Sequence, residues 1–152
     1  MSSILILCGG FLLAVLWMDL MFDVQVRSQD MLRELPEDVL SSIAAYYRRV
    51  TTLARPMSSA IGVTMIITVL ALLVQITRAS ESHWAGVLSL PLAGGPILLA
   101  GLRVVPNAVR LGSRVDPSAE QSRLARAIYR DHLLCLCGIV LFVVVQLWAG
   151  RG

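Results

Sequence analysis

The residues of this chain that are best suited to chemistry are two acids, a cation, an amide and an imidazole that lie beside long apolar runs. Asp19 and Asp23 are four positions apart, so a helix would present both carboxylates on one face. Arg103 and Asn107 follow a later apolar run, and His132 begins the last one. Such a set could transfer a proton, bind a polar head group or act on an aromatic ligand held among helices.

Helix geometry predicts that the charged members of this set lie at similar depths in a membrane. At about 1.5 Å per residue, Asp19 lies about 24 Å and Asp23 about 30 Å from Ser3. The same rise puts Arg103 about 28 Å from Trp84, between the two carboxylates in depth. A carboxylate inside a membrane costs about 2.5 to 3.5 kcal/mol, so it needs a partner or a function. We therefore expect Arg103 to be the partner of these carboxylates.

Two interpretations of this polar cluster stay open. Asn107 and Arg110 continue the helical face on which Arg103 lies, so the cluster extends beyond the first three charges. In one interpretation the cluster lines a functional pocket. In the other it is an ion-pair network that fixes the register of two helices, which suits Asp23 and Arg110 because they lie at helix ends. Asp19 and Arg103 fit either interpretation.

The elements that must position these residues are four stretches without an ionised side chain. They cover residues 1–18, 56–77, 82–102 and 132–150. Each is close to the length of about 20 apolar residues that crosses a bilayer, and in lipid the backbone must form its own hydrogen bonds. We therefore predict an all-α protein, a single domain over residues 1–152 that forms a four-helix transmembrane bundle. The transmembrane helices are expected at about residues 3–23, 57–78, 84–105 and 131–149.

The composition agrees with an integral membrane protein and excludes several other classes. Hydrophobic residues make up 57% of the 152 residues and charged residues only 15%, against about 25% in an ordinary soluble domain. This balance excludes a disordered chain and a nucleic-acid-binding tail, so no nucleic acid is expected as a partner.

The distribution of arginine predicts the orientation in the membrane. All 13 basic residues are Arg, and eleven of them lie in two segments, residues 24–55 and 103–131. Four spans put both segments on the same side, which the positive-inside rule assigns to the cytoplasm. Both termini are then outside. The short, compact chain favours a bacterial inner membrane.

Two further helical features are expected between and within the spans. Pro36, Glu37 and Asp38 are typical of a helix start, and Leu40, Ile43, Ala44 and Tyr47 follow helical spacing after it. A short amphipathic helix is therefore expected at the cytoplasmic interface. In the third span, Pro91 and Pro96 flank Gly94 and Gly95, which predicts a kink or a short unwound stretch there.

The remaining polar residues indicate packing more than cofactor binding. His83 and His132 fall at opposite ends of their spans, so one haem or metal ion cannot use both within a monomer. The three cysteines are too few for a disulfide scaffold, and neither a phosphate-binding glycine loop nor a CxxC pair is present. We expect no cofactor and no metal. Gln75 and Gln146 lie at matching depths near the outer ends of their spans, where they are expected to hydrogen-bond to each other.

Five short motifs are spread along the chain: Cys8-Gly9-Gly10-Phe11, Leu35-Pro36, Arg55-Pro56-Met57, Val105-Pro106-Asn107 and Tyr129-Arg130-Asp131-His132. Together they resemble the anthrone oxygenase-like family of small four-helix membrane proteins, over most of the chain. The chain departs from that family at Ile128, where a Trp is usual, and at Leu134-Cys135, where an Arg is usual. The resemblance implies oxygenation of a fused-ring phenol without metal or flavin, with Asn107 and His132 as catalytic residues.

Three functions follow from these observations as hypotheses. The first is a binding or assembly component of the membrane, with membrane lipids, a lipophilic small molecule, a protein or a second copy of the chain as candidate partners. The second is a cofactor-independent, oxygenase-like enzyme that acts on a lipophilic aromatic substrate. The third is a small proton- or cation-coupled transporter that uses Asp19.

Overall fold

The computed structural model describes residues 2–27, 33–53, 55–78 and 83–150, and all regular structure within these ranges is helical. The α-helices are α1 Ser2–Asp23, α2 Glu37–Arg48, α3 Arg55–Thr77, α4 His83–Leu99, α5 Val105–Ser113 and α6 Ser118–Ala149. A 3₁₀ turn at Val24–Val26 and π-helical turns at Arg49–Leu53 and Ala100–Val104 extend three of them. The all-α prediction is confirmed.

Among the described residues, four helical stretches are long and apolar enough to cross a membrane. They are Ser2–Val26, Pro56–Thr77, His83–Ser113 and Ser118–Ala149. Each of the four predicted spans lies within one of these stretches or extends one residue beyond it. The fourth stretch is one continuous helix, α6, which begins well before the apolar run that starts at His132.

Two apolar cores hold the helices together. The first joins α2, α5 and the first half of α6, and it buries Leu40, Ile43, Ala44 and Tyr47, the residues whose helical spacing predicted an amphipathic helix. A Cβ on Gly112 would lie 2.8 Å from the backbone nitrogen of Arg48, so α5 and α2 are nearly in backbone contact. The second core joins α1, α3, α4 and the second half of α6.

The irregularity of the third span lies later in the chain than the sequence predicted. The α-helix is continuous from His83 to Leu99, so the stretch around Gly94 and Gly95 is not unwound. The irregular part is the π-helical turn at Ala100–Val104, just before Pro106. Because Pro106 has no N–H to continue the α-helical hydrogen bonds, a change of helical register directly before it avoids the resulting mismatch.

The helices do not pack evenly around the bundle. Helix α6 packs against both α1 and α4, and α3 packs against α1, α4 and the turn at Arg49–Leu53. No comparable packing joins α3 to residues 100–113 within the described parts of the chain. A gap between α3 and this segment is the result.

Candidate functional site

Helices α1 and α6 bring two acids and the imidazole together inside the bundle. His132 Nδ1 lies 2.6 Å from Asp23 Oδ2, and His132 Nε2 lies 3.7 Å from Asp19 Oδ2. Asp23 is 1% exposed, His132 4% and Asp19 8%, so all three are removed from the protein surface. The structure therefore places these three predicted residues in one buried cluster.

Helix α2 adds two tyrosines to this cluster. The hydroxyl of Tyr46 donates a hydrogen bond of 2.6 Å to Asp19 Oδ1, and that of Tyr47 donates one of 2.6 Å to Asp23 Oδ1. The two carboxylates are one helical turn apart on α1, about 6 Å along its axis, so neighbouring residues of α2 reach one each. The ring of Phe22 stacks on Tyr46 with centroids 4.0 Å apart, which holds that phenol in place.

Both phenols are held in the protonated, hydrogen-donating form. Burial raises the pKa of Tyr46, and the negative charge of Asp19 raises it further. Burial raises the pKa of Tyr47 as well, and there the main charge effect comes from Asp23. At neutral pH each carboxylate of α1 therefore has one fixed O–H donor.

The hydrogen bonds of Asp23 determine the tautomer of the histidine. An ionised carboxylate is only an acceptor, so His132 carries a proton on Nδ1 and donates it to Asp23 Oδ2. With Asp23 Oδ1 accepting from Tyr47, both oxygens of Asp23 have a donor. In the neutral imidazole the remaining nitrogen, Nε2, is then an acceptor.

A cavity of about 360 Å³ lies against this cluster. Residues of all six α-helices and of the two π-helical turns line it, and its polar end carries Asp19, Tyr47 and His132. The rest of the wall is mainly aliphatic. Its larger members are Leu12, Val15, Leu16, Val50, Ile61, Met65, Ile97, Val104, Val105, Val109 and Ile139.

Arg103 contacts a different acid from the one that the depth calculation suggested. Its Nη2 lies 3.3 Å from Asp131 Oδ2, and the Arg103 side chain is half exposed. Asp131 also lies 3.6 Å from Arg130. Within the described residues, neither Asp19 nor Asp23 forms an ion pair with an arginine. Depth along two separate helices does not fix the angle at which each side chain points, and α6 supplies a nearer carboxylate.

Arg110 and Asn107 also lie outside the buried cluster. Arg110 forms a two-pronged hydrogen bond of 2.8 Å to Asp116 and lies 3.4 Å from Glu120. Asn107 is partly buried and does not line the cavity, and no described hydrogen bond links its side chain to the acids or to His132. The predicted set of site residues thus divides into a central group and a peripheral one.

The contacts of Tyr46 and Tyr47 with the acids of α1, and of Asp131 with Arg103, were not predicted from the sequence. A signal for the tyrosines was present, because a buried tyrosine hydroxyl usually has a hydrogen-bond partner. Tyr47 was placed correctly on the buried face of its helix, but only as an apolar residue. The two acids of α1 that lacked a donor were its natural partners.

A second buried polar cluster lies at the other end of the bundle, as predicted for Gln75 and Gln146. The two amides hydrogen-bond to each other at 3.1 and 3.4 Å, and Gln146 Nε2 also donates to Ser89 Oγ at 2.9 Å. The Nδ1 atom of His83 lies 2.7 Å from the carbonyl oxygen of Ile76. Within the described ranges, no three His, Cys, Asp or Glu side chains come close enough to hold a metal ion.

The arrangement at the cavity can bind a ligand that is apolar along most of its length and polar at one end, and it can exchange a proton with that end. No protein-family model, curated protein or solved structure matches this chain. Its geometry is therefore the basis for a functional assignment.

Proposed function

We propose that this chain is an integral membrane protein that crosses the bilayer four times and binds a lipophilic small molecule between its helices. The observation that carries the proposal is the cavity of about 360 Å³, with an aliphatic wall and a polar end formed by Asp19, Tyr47 and His132. Small-molecule sites have this character, with volumes of about 300 to 1,000 Å³ and a few polar groups that orient the ligand.

The outer faces of the apolar helices support a location in the bilayer. Large apolar side chains point away from the bundle, including Leu7 at 73%, Leu102 at 68% and Trp148 at 72% exposure. A surface of this kind is costly in water and favourable in lipid. We further propose that the two Arg-rich segments face the cytoplasm and both termini face outward, in a bacterial inner membrane.

The gap beside α3 supports access to the cavity from within the bilayer. Gly62 on α3 and Gly101 in the second π-helical turn both line the cavity, and a Cβ at either position would meet no atom within 4 Å. Their neighbour Val105 also lines the cavity and is half exposed on the outside of the bundle. A lipophilic molecule dissolved in the membrane can therefore enter sideways, without passing through water.

Native mass spectrometry of the recombinant protein in mild detergent tests the proposal. We expect the wild type to retain a small molecule with an apolar body, and Gly62→Phe to lose it because the added ring fills the cavity. Gly10→Phe is the matched control, because Gly10 also has open space around it but does not line the cavity. Equal ligand retention in Gly62→Phe and the wild type would contradict the proposal.

A second candidate function, acid–base catalysis on the bound molecule, is favoured by the hydrogen bond between Asp23 and His132. A carboxylate on one ring nitrogen orients the imidazole and leaves the other nitrogen as a base that faces the ligand. The oxygenase-like hypothesis belongs here, although Asn107 lies away from the cavity. Turnover of a lipophilic aromatic phenol that is lost in His132→Ala and kept in Asn107→Ala would support catalysis by the cavity alone.

A further inference from the structure

With His132 neutral and protonated on Nδ1, the polar end of the cavity presents two hydrogen-bond acceptors, and no described residue places a donor between them. Asp19 Oδ1 accepts from Tyr46, but within the described residues Asp19 Oδ2 forms no hydrogen bond, since His132 Nε2 lies 3.7 Å away, which is too long for one. His132 Nε2 has no hydrogen-bond donor or acceptor either among the described residues. Both residues are buried, with the His132 side chain 5% and the Asp19 side chain 12% exposed, and both line the cavity.

We infer that the cavity selects a lipophilic amine, whose ammonium group donates one N–H to Asp19 Oδ2 and a second to His132 Nε2. This inference rests on the proposed function, because it names the class of molecule that the cavity would bind. One nitrogen can satisfy both acceptors. Asp19 Oδ2 and His132 Nε2 are 3.7 Å apart, so a nitrogen between them can lie at a hydrogen-bond distance of about 2.8 Å from each.

The number of hydrogen-bond donors on the polar end of the ligand distinguishes an amine from an alcohol or a carboxylic acid. A primary ammonium offers three N–H groups and so supplies both acceptors at once. A hydroxyl has one proton, so it satisfies one acceptor and turns a lone pair toward the other. A carboxylate offers no donor and would repel Asp19. Hydrogen bonds between charged partners are also roughly twice as strong as neutral ones.

The charge balance around the cavity favours the same choice. Asp19 and Asp23 place two carboxyl groups near the cavity, and among the described residues no arginine contacts either of them. The nearby cations Arg103 and Arg130 both contact Asp131 instead. An unbalanced charge inside a membrane is costly. A cationic ligand end would therefore be stabilised beside these carboxyl groups, and an anionic one would be destabilised.

Three ligands with one shared ring system test the inference: 2-naphthylmethylamine, 2-naphthylmethanol and 2-naphthoic acid. Binding is measured by equilibrium dialysis against the protein in lipid nanodiscs, with empty nanodiscs subtracted to remove partitioning into lipid. We expect the amine to bind about tenfold more tightly than the alcohol, a ratio that corresponds to one favourable charged contact. The acid is expected not to bind measurably.

Two variants locate the origin of this preference. Asp19→Asn keeps a carbonyl oxygen for Tyr46 but removes the charge, so the affinity for the amine should fall about tenfold while that for the alcohol is unchanged. Asp38→Asn is the matched control on an exposed acid, and it should leave all three affinities as in the wild type.

Asp23→Asn tests the role of Asp23 as a positioning residue, since it does not line the cavity. An amide N–H facing His132 Nδ1 favours the tautomer protonated on Nε2, so the cavity would present one donor and one acceptor. The alcohol should then bind as tightly as the amine or more tightly. Nitrogen-15 NMR of the labelled histidine reports the tautomer directly, with a readout independent of ligand affinity.

Equal binding of the amine and the alcohol to the wild type, or an amine preference that survives Asp19→Asn, would overturn the inference. The proposed function fails by a different result. If Gly62→Phe binds the naphthyl ligands as well as the wild type does, the cavity is not the binding site. If Gly62→Phe abolishes binding of ligands that show no amine preference, the cavity is the site and only the ligand class is wrong.

Discussion

Two polar clusters are buried in this bundle, and they differ in what they leave unpaired. In the amide cluster, formed by Gln75, Ser89 and Gln146, the side chains bond to one another and none of them lines the cavity. In the charged cluster, Asp19 and His132 each turn one acceptor toward a cavity. Burial of polar groups is thus common to a structural contact and a binding site. Unused hydrogen-bonding capacity next to empty space distinguishes the binding site.

The packing around the two clusters differs in the same way. Next to the amide cluster, a Cβ on Gly86 would lie 2.9 Å from Ile76 Cγ1 and 3.3 Å from Gln75 Cγ, so the helices are in close contact. Along the cavity, Gly62 and Gly101 have open space instead. Small residues therefore serve close helix packing at one end of the bundle and leave room for a ligand at the other.

The largest expected effect is that of Asp23→Ala on stability. It removes the carboxylate that accepts from the Tyr47 hydroxyl and from His132 Nδ1, each at 2.6 Å, and leaves these two buried groups only the longer contact of 3.5 Å between them among the described residues. We expect the free energy of unfolding to fall by about 3 to 5 kcal/mol. Reversible unfolding in mixed micelles of SDS and a mild detergent measures it. Asp38→Ala is the control for removal of an exposed acid. If Asp23→Ala lowers the free energy of unfolding by less than about 1 kcal/mol, the buried hydrogen bonds of Asp23 do not stabilise the fold as described.

A pair of glycine substitutions sharpens the contrast in packing. Gly86→Leu forces a side chain into the contact with Ile76, which should cost about 1 to 3 kcal/mol of unfolding free energy. Gly62→Leu enters the cavity and should cost less than about 1 kcal/mol, because no neighbour has to move. The same unfolding assay compares them. Equal losses in both variants would mean that the two ends of the bundle are packed alike.

Alkaline pH should change the stability contribution of the charged cluster and not that of the amide cluster, because only the charged cluster contains groups that titrate at high pH. The pKa of Tyr47 is raised by burial and by Asp23, so the phenol is protonated in both the folded and unfolded states below about pH 10. Above that pH the unfolded chain loses a proton that the folded chain keeps, and stability falls as pH rises. The contribution of Tyr47 is about 1.4 kcal/mol per pH unit.

The pH-dependent contribution of Tyr47 to stability is measured by comparing the unfolding of the wild type and of Tyr47→Phe between pH 9 and 11. The variant should lose stability more slowly with rising pH, while Gln146→Leu should follow the wild-type slope. Parallel curves for the wild type and Tyr47→Phe would mean that the folded protein lets this phenol ionise normally.

The sequence predicted the helices well because their signals are local. Charge-free runs, helix-start residues and the spacing of Leu40, Ile43 and Tyr47 each depend on residues close together in the chain. The prediction was less accurate where the outcome depends on how helices are rotated against each other. Arg103 contacts Asp131 and not the acids of α1, and the hydroxyl of Tyr47 meets Asp23 only because α2 folds back against α1. The cavity itself has no sequence signal, since it results from the absence of packing between α3 and residues 100–113.

The smallest expected effect is that of Gln146→Leu, which breaks the amide cluster. Hydrogen bonds between membrane helices average about 0.6 kcal/mol and reach about 1.7, so we expect a loss of about 1 kcal/mol in unfolding free energy. The double variant Gln75→Leu/Gln146→Leu should recover part of that loss, because replacing both partners leaves no amide unpaired. Ligand retention should be unchanged in both variants, since neither amide lines the cavity. Loss of the ligand in Gln146→Leu would mean that the amide cluster and the cavity are coupled through α6.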